Sequence, residues 1–197
     1  TGANRSAGNG GAFNNRGSLS ITSSTISGNS ANHGGGIRSY GALTVSNSTI
    51  SNNTANSGGA GILNSGTLTV SNSTLSGNNA NRGGAIANSG SGTLTVSNST
   101  ISGNTTINGA GIYNTGGSTL TVINSTLSAN TATNGGGILN NFGGILSVSN
   151  STFSGNTASK GGGIFSDNNL TVTNSTISGN SATVSGGGIY SNGGNLN

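Results

Sequence analysis

The sequence contains no cysteine, proline, methionine or tryptophan, and it has only one acidic residue in 197. The absence of cysteine excludes a disulfide scaffold and thiolate metal sites. The absence of proline, together with glycines that follow no three-residue period, excludes a collagen triple helix. One acidic residue, Asp167, and one histidine, His33, exclude paired-carboxylate catalysis, a catalytic triad and a multi-histidine metal site. We therefore expect no enzyme activity, no cofactor and no metal.

Charge is equally scarce. Charged residues make up 3% of the chain, and the net charge of +4 comes from basic residues that are dispersed along it. A nucleic-acid-binding surface needs clustered lysine and arginine, so we expect no nucleic-acid partner. No run of 18 apolar residues is present, so we expect this segment not to enter a membrane. A hydrophobic content of 28% would suit a disordered chain, but disorder also requires high net charge.

What the sequence does contain is a repeat of 24 to 26 residues with the consensus GGGIxN-(loop)-LTVSNSTISGNTAx. Its glycine-rich blocks begin at Gly10, Gly34, Gly58, Gly83, Gly109, Gly135, Gly161 and Gly186. The repeat length varies in the loop after GGGIxN, as in SYGA at 39–42 and NNFGGI at 140–145. Insertions confined to one position indicate a fixed scaffold with one tolerant corner.

Within each repeat, apolar residues alternate with Thr and Ser in short segments bounded by Gly and Asn. Leu94 and Val96 flank Thr95, and Ile101 lies between Thr100 and Ser102. Alternation over such short segments predicts three strands per repeat and excludes helical repeats. The sequence therefore predicts an all-β fold, a parallel β-solenoid of about seven coils in one domain over 1–197. With coils about 4.8 Å apart, the rod would be roughly 35 Å long.

Two columns of asparagine accompany these strands. The first column contains Asn47, Asn72, Asn98, Asn124, Asn150 and Asn174, with Ser23 in the first coil. The second contains Asn29, Asn53, Asn78, Asn104, Asn130, Asn156 and Asn180. We expect both to form buried ladders of stacked side chains. The first column also matches the Asn-x-Thr acceptor of N-glycosylation, but burial in a ladder favours a structural role.

Two tetrapeptides carry a resemblance to a known family. They are GG[A/G]I, as in Gly83-Gly84-Ala85-Ile86, and FxxN, as in Phe153-Ser154-Gly155-Asn156. Alternating once per repeat, they resemble the repeats of chlamydial polymorphic outer-membrane proteins and of large secreted bacterial β-helix proteins. The first position of FxxN is mostly Ile or Leu in this chain. The resemblance implies a right-handed parallel β-helix at a cell surface, acting in adhesion or in a surface layer.

Two outward columns are candidate contact faces. The first is a Thr column, with a Ser two residues after each member: Thr25, Thr49, Thr74, Thr100, Thr126, Thr152 and Thr176. It is similar to the ice-contact faces of solenoid antifreeze proteins, although Ser lacks the methyl group that such faces use. The second follows the inward Ile and is rich in large apolar residues: Leu63, Tyr113, Leu139, Phe165 and Tyr190. A contiguous apolar column of this kind indicates a protein contact.

These features predict an extracellular or cell-surface protein that is structural or adhesive and can form filaments. The alternative function is ice binding through the Thr column. The chain begins within one coil and stops just after the start of another, at GGNLN. Because solenoids normally carry polar caps, we expect either a segment of a longer protein or copies that stack end to end. The expected partners are other copies of the chain or a surface protein.

Overall fold

The computed structural model of the chain describes the backbone of residues 4–194 and the side chains of residues 8–194. The described elements are short strands, and each pairs in parallel with the equivalent strand of the next repeat. Each repeat therefore forms one coil of a parallel β-solenoid, as the sequence predicts. Leu196, which the repeat pattern places in the strand of a further coil, lies outside the described residues.

The three predicted strands of each coil stack into three sheets, which we name after their sequences. The Ile sheet contains Phe13–Asn15, Ile37–Ser39, Ile62–Asn64, Ile86–Asn88, Ile112–Asn114, Ile138–Asn140, Ile164–Ser166 and Ile189–Ser191. The LTV sheet contains Ser18–Thr22, Ala42–Ser46, Thr67–Ser71, Thr93–Ser97, Thr119–Ile123, Ile145–Ser149 and Leu170–Thr173. The TIS sheet contains Thr25–Ser27, Thr49–Ser51, Thr74–Ser76, Thr100–Ser102, Thr126–Ser128, Thr152–Ser154 and Thr176–Ser178.

Most coils carry a fourth short strand, which the alternation pattern does not reveal. These corner strands are Asn4–Asn9, Ser30–His33, Thr54–Gly58, Asn79–Arg82, Thr157–Lys160 and Ser181–Ser185. Isolated bridges through residues 105, 108, 131 and 134 connect the first four to the last two. The pairing is interrupted by register shifts, for example between Ala31 and His33. Such irregular strands bury few side chains, and they therefore leave a weak trace in the sequence.

The strand register also moves the boundary of one repeat. Ile37 pairs with Ile62, so the residue equivalent to Gly34 is Gly59 and not Gly58. The extra residue of that coil lies in the corner strand Thr54–Gly58. Insertions are therefore accommodated at two corners of the coil, and the expectation of a single tolerant corner is wrong. At the second corner the extra residue is seen as a shift between Ala55 and Gly58 relative to both neighbouring strands, which is a β-bulge.

The aliphatic residues of the three sheets form one continuous core along the solenoid. Leu94, Val96 and Ile101 have no exposed surface, whereas Thr95 and Ser102 on the alternate positions are half-buried. The predicted inward and outward faces are thus confirmed. Burial of each aliphatic side chain contributes about 1.5–3 kcal/mol, and the contribution recurs three to four times per coil.

The glycine block lets adjacent coils approach closely where the corner strand leads into the Ile sheet. Gly83 has a φ of 60°, a conformation that side chains with a Cβ disfavour. At the next position, a Cβ on Gly84 would lie 2.5 Å from the carbonyl oxygen of Ala110 in the following coil. Glycine is therefore required here for two reasons, backbone conformation and coil spacing.

The second asparagine column forms the predicted ladder. In the central coils, Asn104 Nδ2 donates to Asn130 Oδ1 at 2.9 Å and to the Leu75 carbonyl oxygen at 3.1 Å. Its Oδ1 accepts from both the backbone N–H and Nδ2 of Asn78. Asn104 has no exposed surface, so each amide satisfies buried polar groups of two neighbouring coils.

The first asparagine column does not form a ladder, and that prediction is wrong. Its members are exposed and have φ values of 47–50°, so they occupy left-handed turns that point their side chains outward. Asparagine adopts this conformation more readily than most residues, which explains its presence without burial. The buried ladder at this corner uses the next residue, where Ser99 N–H donates to Ser125 Oγ at 3.2 Å.

A third ladder, which the sequence analysis did not assign, runs along the end of the Ile sheet. Asn64, Asn88 and Asn114 each donate through Nδ2 to Oδ1 of the next asparagine at 2.8 Å, and Asn140 donates to Ser166 Oγ. Asn88 is fully buried. The recurring Asn of the GGGIxN consensus is the sequence pattern from which this ladder could have been predicted. Ladders at three corners therefore hold the coils in register.

Candidate functional site

The residues that follow the inward Ile face away from the main core, as alternation predicts. Leu63, Ala87, Tyr113, Leu139 and Phe165 pack against one another as a separate cluster, which we call the apolar column. Tyr113 is 8% exposed and Leu139 only 2%, so contacts within the chain already bury most of this surface. Burial by neighbouring coils thus accounts for much of the column, and a further protein contact stays a prediction.

Tyr190 pairs with Phe165 in the next coil and continues the apolar column, and these two residues are less buried than the other members. Both rings are half-buried, and their centroids are 5.0 Å apart. Lys160 Nζ lies 5.6 Å from the centre of the Tyr190 ring. Of the five residues proposed as a contact face, these two retain the most accessible surface.

Near the other end of the apolar column, an open cleft of about 420 Å³ interrupts the surface. Its floor is formed by Leu63, Ala87 and Tyr113, which occupy equivalent positions in three successive coils. Ala87 is the smallest of the three, and the missing side-chain volume lies between a leucine and a tyrosine. Gly58, which also lines the cleft, adds a second position without a side chain. The cleft exists because small residues replace large ones in two adjacent columns.

Three basic residues from distant parts of the sequence line this cleft: His33, Arg38 and Arg82. Gly58 pairs with both His33 and Arg82 in the corner sheet, so these two side chains occupy one column two coils apart. Basic residues that are dispersed along the sequence thus meet in space, because the coil length brings equivalent positions about 24 residues apart into one column. That nucleic acid is not a partner stays a prediction.

Arg38 is held at the edge of the cleft by several contacts. Its guanidinium carbon lies 4.7 Å from the centre of the Tyr40 ring, and Nη1 donates to Asn9 Oδ1 at 2.9 Å. Its Nε is buried and has no hydrogen-bond partner among the described residues. Arg16 also lies over the Tyr40 ring, at 5.5 Å. The positive charge of Arg38 is therefore fixed in place but incompletely neutralised.

The environment of His33 favours the neutral form of its imidazole. Partial burial, and secondly the positive charge of Arg38, lower the pKa of His33 from its ordinary value of 6.5. The neutral ring can both donate and accept a hydrogen bond at the cleft. The two arginines are consequently the permanent charges of this site.

The wall opposite the basic residues carries hydroxyl groups and one aromatic ring. Ser65, Ser89 and Thr115 line it from successive coils, and Phe142 stands at its rim. Phe142 is 75% exposed and lies in the variable loop after the Ile sheet. The only acidic residue of the chain, Asp167, does not line the cleft. The cleft therefore combines positive charge, hydroxyl groups and aromatic surface.

The Thr column is assembled in register on the TIS sheet. Thr74 pairs with Thr100, Thr100 with Thr126, and Thr126 with Thr152. Its central members are half-buried, and those at the two ends, Thr25 and Thr176, are exposed. The structure thus presents a regular row of hydroxyl and methyl groups. Whether ice is its ligand stays a prediction.

Residues 4–194 lack two further features, a cluster of metal ligands and a long apolar helix. No three potential metal-ligating side chains come together in this part of the chain. The same residues contain no helix with the length and apolar character that crossing a membrane would require.

Comparison with known proteins identifies the family of the chain. Residues 9–197 match the family model described as a right-handed β-helix region. No curated protein and no solved structure matches the chain. The family match adds the handedness of the coil to the parallel pairing and the stacked coils described above. The chain belongs to the right-handed β-helix family.

Proposed function

We propose that this chain is a structural or adhesive β-solenoid that acts outside the cell or at the cell surface, without catalysing a reaction. One observation carries the proposal. The recurring residues of the motif have structural roles in the solenoid. Its aliphatic residues form the core, and its buried Asn and Ser residues form three ladders. The motif therefore serves rigidity and length, which are the properties of a scaffold.

The surface composition supports the same proposal. The outward positions of the LTV and TIS sheets are mostly Ser and Thr, which give flat, hydroxyl-rich faces with almost no charge. Within these 197 residues a second carboxylate for acid–base chemistry does not exist. The resemblance to polymorphic outer-membrane repeats supports a location at a cell surface.

Location is tested by labelling intact and lysed source cells with an antibody raised against the chain. We expect labelling of intact cells or of the surrounding medium. Label that is found only after lysis would contradict the extracellular part of the proposal.

The absence of catalysis is tested separately, by incubating the purified chain with a panel of neutral and acidic polysaccharides and measuring released reducing ends. Any turnover that copurifies with the folded chain would overturn the non-catalytic part.

The proposed partner is a second copy of the chain. Phe165 and Tyr190 form a half-buried aromatic pair at one end of the apolar column, and each could contribute roughly 1.5–3 kcal/mol when covered. A low charge density opposes such association only weakly. Lateral contact through this pair is therefore the form of self-association that we propose.

Ice binding is the second candidate, because the Thr column is stacked in register over the TIS sheet. An ice-binding face would produce thermal hysteresis, which the changes Thr100→Lys and Thr126→Lys would abolish. Thr105→Lys and Thr131→Lys are matched controls, since these exposed threonines pair across the same two coils at another corner. We expect no hysteresis at millimolar protein, because the adjacent Ser residues lack methyl groups; clear hysteresis would establish the second candidate instead.

A further inference from the structure

The cleft over Ala87 has a shape that the repeat does not require. In the two neighbouring coils, the position equivalent to Ala87 is occupied by Leu63 and by Tyr113. Leu139 occupies it one coil further on. A leucine at this position would continue the apolar column without a gap. The cleft is therefore a local departure from the repeat, at the point where Ala87 and Gly58 stand in columns of larger residues.

Charge is concentrated at the same place. The described residues include few ionisable side chains, and His33, Arg38 and Arg82 all line this cleft. No carboxylate accompanies them, because Asp167 is the only one in the chain and lies elsewhere. The buried Nε of Arg38 has no partner among the described residues. Two arginines thus line a cleft that supplies no carboxylate to pair with them.

The cleft also contains surface suited to a planar apolar body. Tyr113 contributes to the floor and Phe142 stands at the rim, while Ser65, Ser89 and Thr115 supply hydroxyl groups along one wall. A volume of about 420 Å³ is in the range of small-molecule sites. Guanidinium groups bind carboxylates and phosphates, and aromatic rings stack on planar bodies.

From these features we infer that the cleft binds a small organic anion, with its carboxylate or phosphate between Arg38 and Arg82 and an aromatic body over Ala87. The scaffold function proposed above does not require this site, and the two can fail separately. The cleft is then a ligand-binding site that recognises the anion by charge and the aromatic body by shape.

The first experiment titrates the isotopically labelled chain with phenyl phosphate and follows the backbone amide signals by NMR. We expect saturable shifts confined to residues around the cleft, including Ala87, Ser89 and Thr115. Inorganic phosphate has the anionic group without the ring, and phenol has the ring without the anionic group. Each should bind at least about tenfold more weakly than phenyl phosphate. Benzoate in place of phenyl phosphate distinguishes a carboxylate from a phosphate as the preferred anion. Absence of saturable shifts with both aromatic anions would overturn the inference.

Two variants locate the binding. Ala87→Leu fills the cleft with the side chain that Leu63 and Leu139 already place in the same column, and it should abolish binding. Arg82→Gln removes one charge from an exposed side chain and should weaken phenyl phosphate about tenfold. Lys160→Gln is the control, because Lys160 occupies the position equivalent to Arg82 three coils later, outside the cleft.

The outcome does not depend on a single variant. If Ala87→Leu loses the strand signature in circular dichroism, Arg82→Gln and its Lys160→Gln control decide the question. Equal affinities in these two variants would show that the anion is attracted by general positive charge, and the site would be rejected. Shifts that persist unchanged in a folded Ala87→Leu variant would reject it as well.

Discussion

Asn98 and Asn104 stand six residues apart in one copy of the motif, but only Asn104 is buried. Asn98 has a φ of 47°, and its side chain points to solvent. Asn104 exchanges hydrogen bonds with asparagines of the coils on both sides. The same residue type therefore has two roles, one in backbone conformation and one in side-chain pairing, and single substitutions can separate them.

We expect Asn104→Ala to lower the free energy of unfolding by about 3 kcal/mol or more. It leaves the Asn78 N–H and the Leu75 carbonyl without their partners in a buried setting, and each unsatisfied group costs about 1–3 kcal/mol. Asn98→Gly should change the stability by less than about 0.5 kcal/mol, because glycine adopts positive φ freely. Chemical denaturation measures both; equal losses in the two variants would refute the assignment of roles.

The lowered pKa of His33 predicts a dependence of stability on pH. Between the folded-state pKa and the ordinary value of 6.5, the unfolded chain binds more protons than the folded chain. The stabilisation is therefore complete above about pH 6.5 and is lost as the pH falls through the folded-state pKa. We expect denaturation midpoints to fall over this acidic range in the natural chain. They should fall less in His33→Gln, and an identical slope in that variant would contradict the prediction.

At the scale of the strand, alternation assigns neighbouring residues to opposite faces. Ile101 is fully buried in the TIS sheet, and Val96 is fully buried in the LTV sheet. Thr95, next to Val96, is half-buried and faces outward. Because the coils repeat, each inward residue lies directly between its equivalents in two other coils. A polar substitution at an inward position therefore disturbs three coils at once.

The strand assignments predict a large difference between adjacent positions. Val96→Asp and Ile101→Asn should each cost about 3 kcal/mol or more, since each removes a buried aliphatic group and introduces an unpaired polar one. Thr95→Ser should cost well under ~1 kcal/mol. Midpoints of thermal or chemical unfolding compare the three variants directly. Similar losses at Val96 and Thr95 would show that the assignment of inward and outward faces is wrong.

For the whole molecule, the coil length determines which distant residues meet. His33 and Arg82 come into one column, and so do Leu63 and Tyr113. The apolar column covers most of its own surface, which leaves the aromatic pair at Phe165 and Tyr190 as the accessible part. Association of whole molecules should accordingly depend on this pair more than on Tyr113.

We expect the double change Phe165→Ser and Tyr190→Ser to shift the chain toward the monomer in sedimentation velocity, with an unchanged circular dichroism spectrum. The removed rings are half-buried, so the coil should tolerate their loss better than loss of the buried Tyr113. Thr105→Ser combined with Thr131→Ser is a control for surface substitution in general. An unchanged sedimentation profile in the double variant would eliminate this pair as the contact.

Much of the fold could be predicted from local periodicity alone. Alternation placed Leu94, Val96 and Ile101 in the core, and the repeat placed Asn104 in a ladder, because both patterns depend on neighbours within a few residues or one coil. The corner strands escaped this reasoning, since their register shifts break the alternation. The first asparagine column was misassigned because a recurring Asn fits either a ladder or a left-handed turn. Only the backbone conformation distinguishes the two.

The sequence by itself determined that the chain is a sparsely charged, all-β solenoid with an aliphatic core, because composition and period are properties of the linear chain. The tertiary structure decided which side chains share a surface. The cleft depends on the exact register that places Gly58 between His33 and Arg82, and Ala87 between Leu63 and Tyr113. A shift of one residue in a bulged corner would separate these groups. The register that prevents such a shift is fixed by stacking against neighbouring coils.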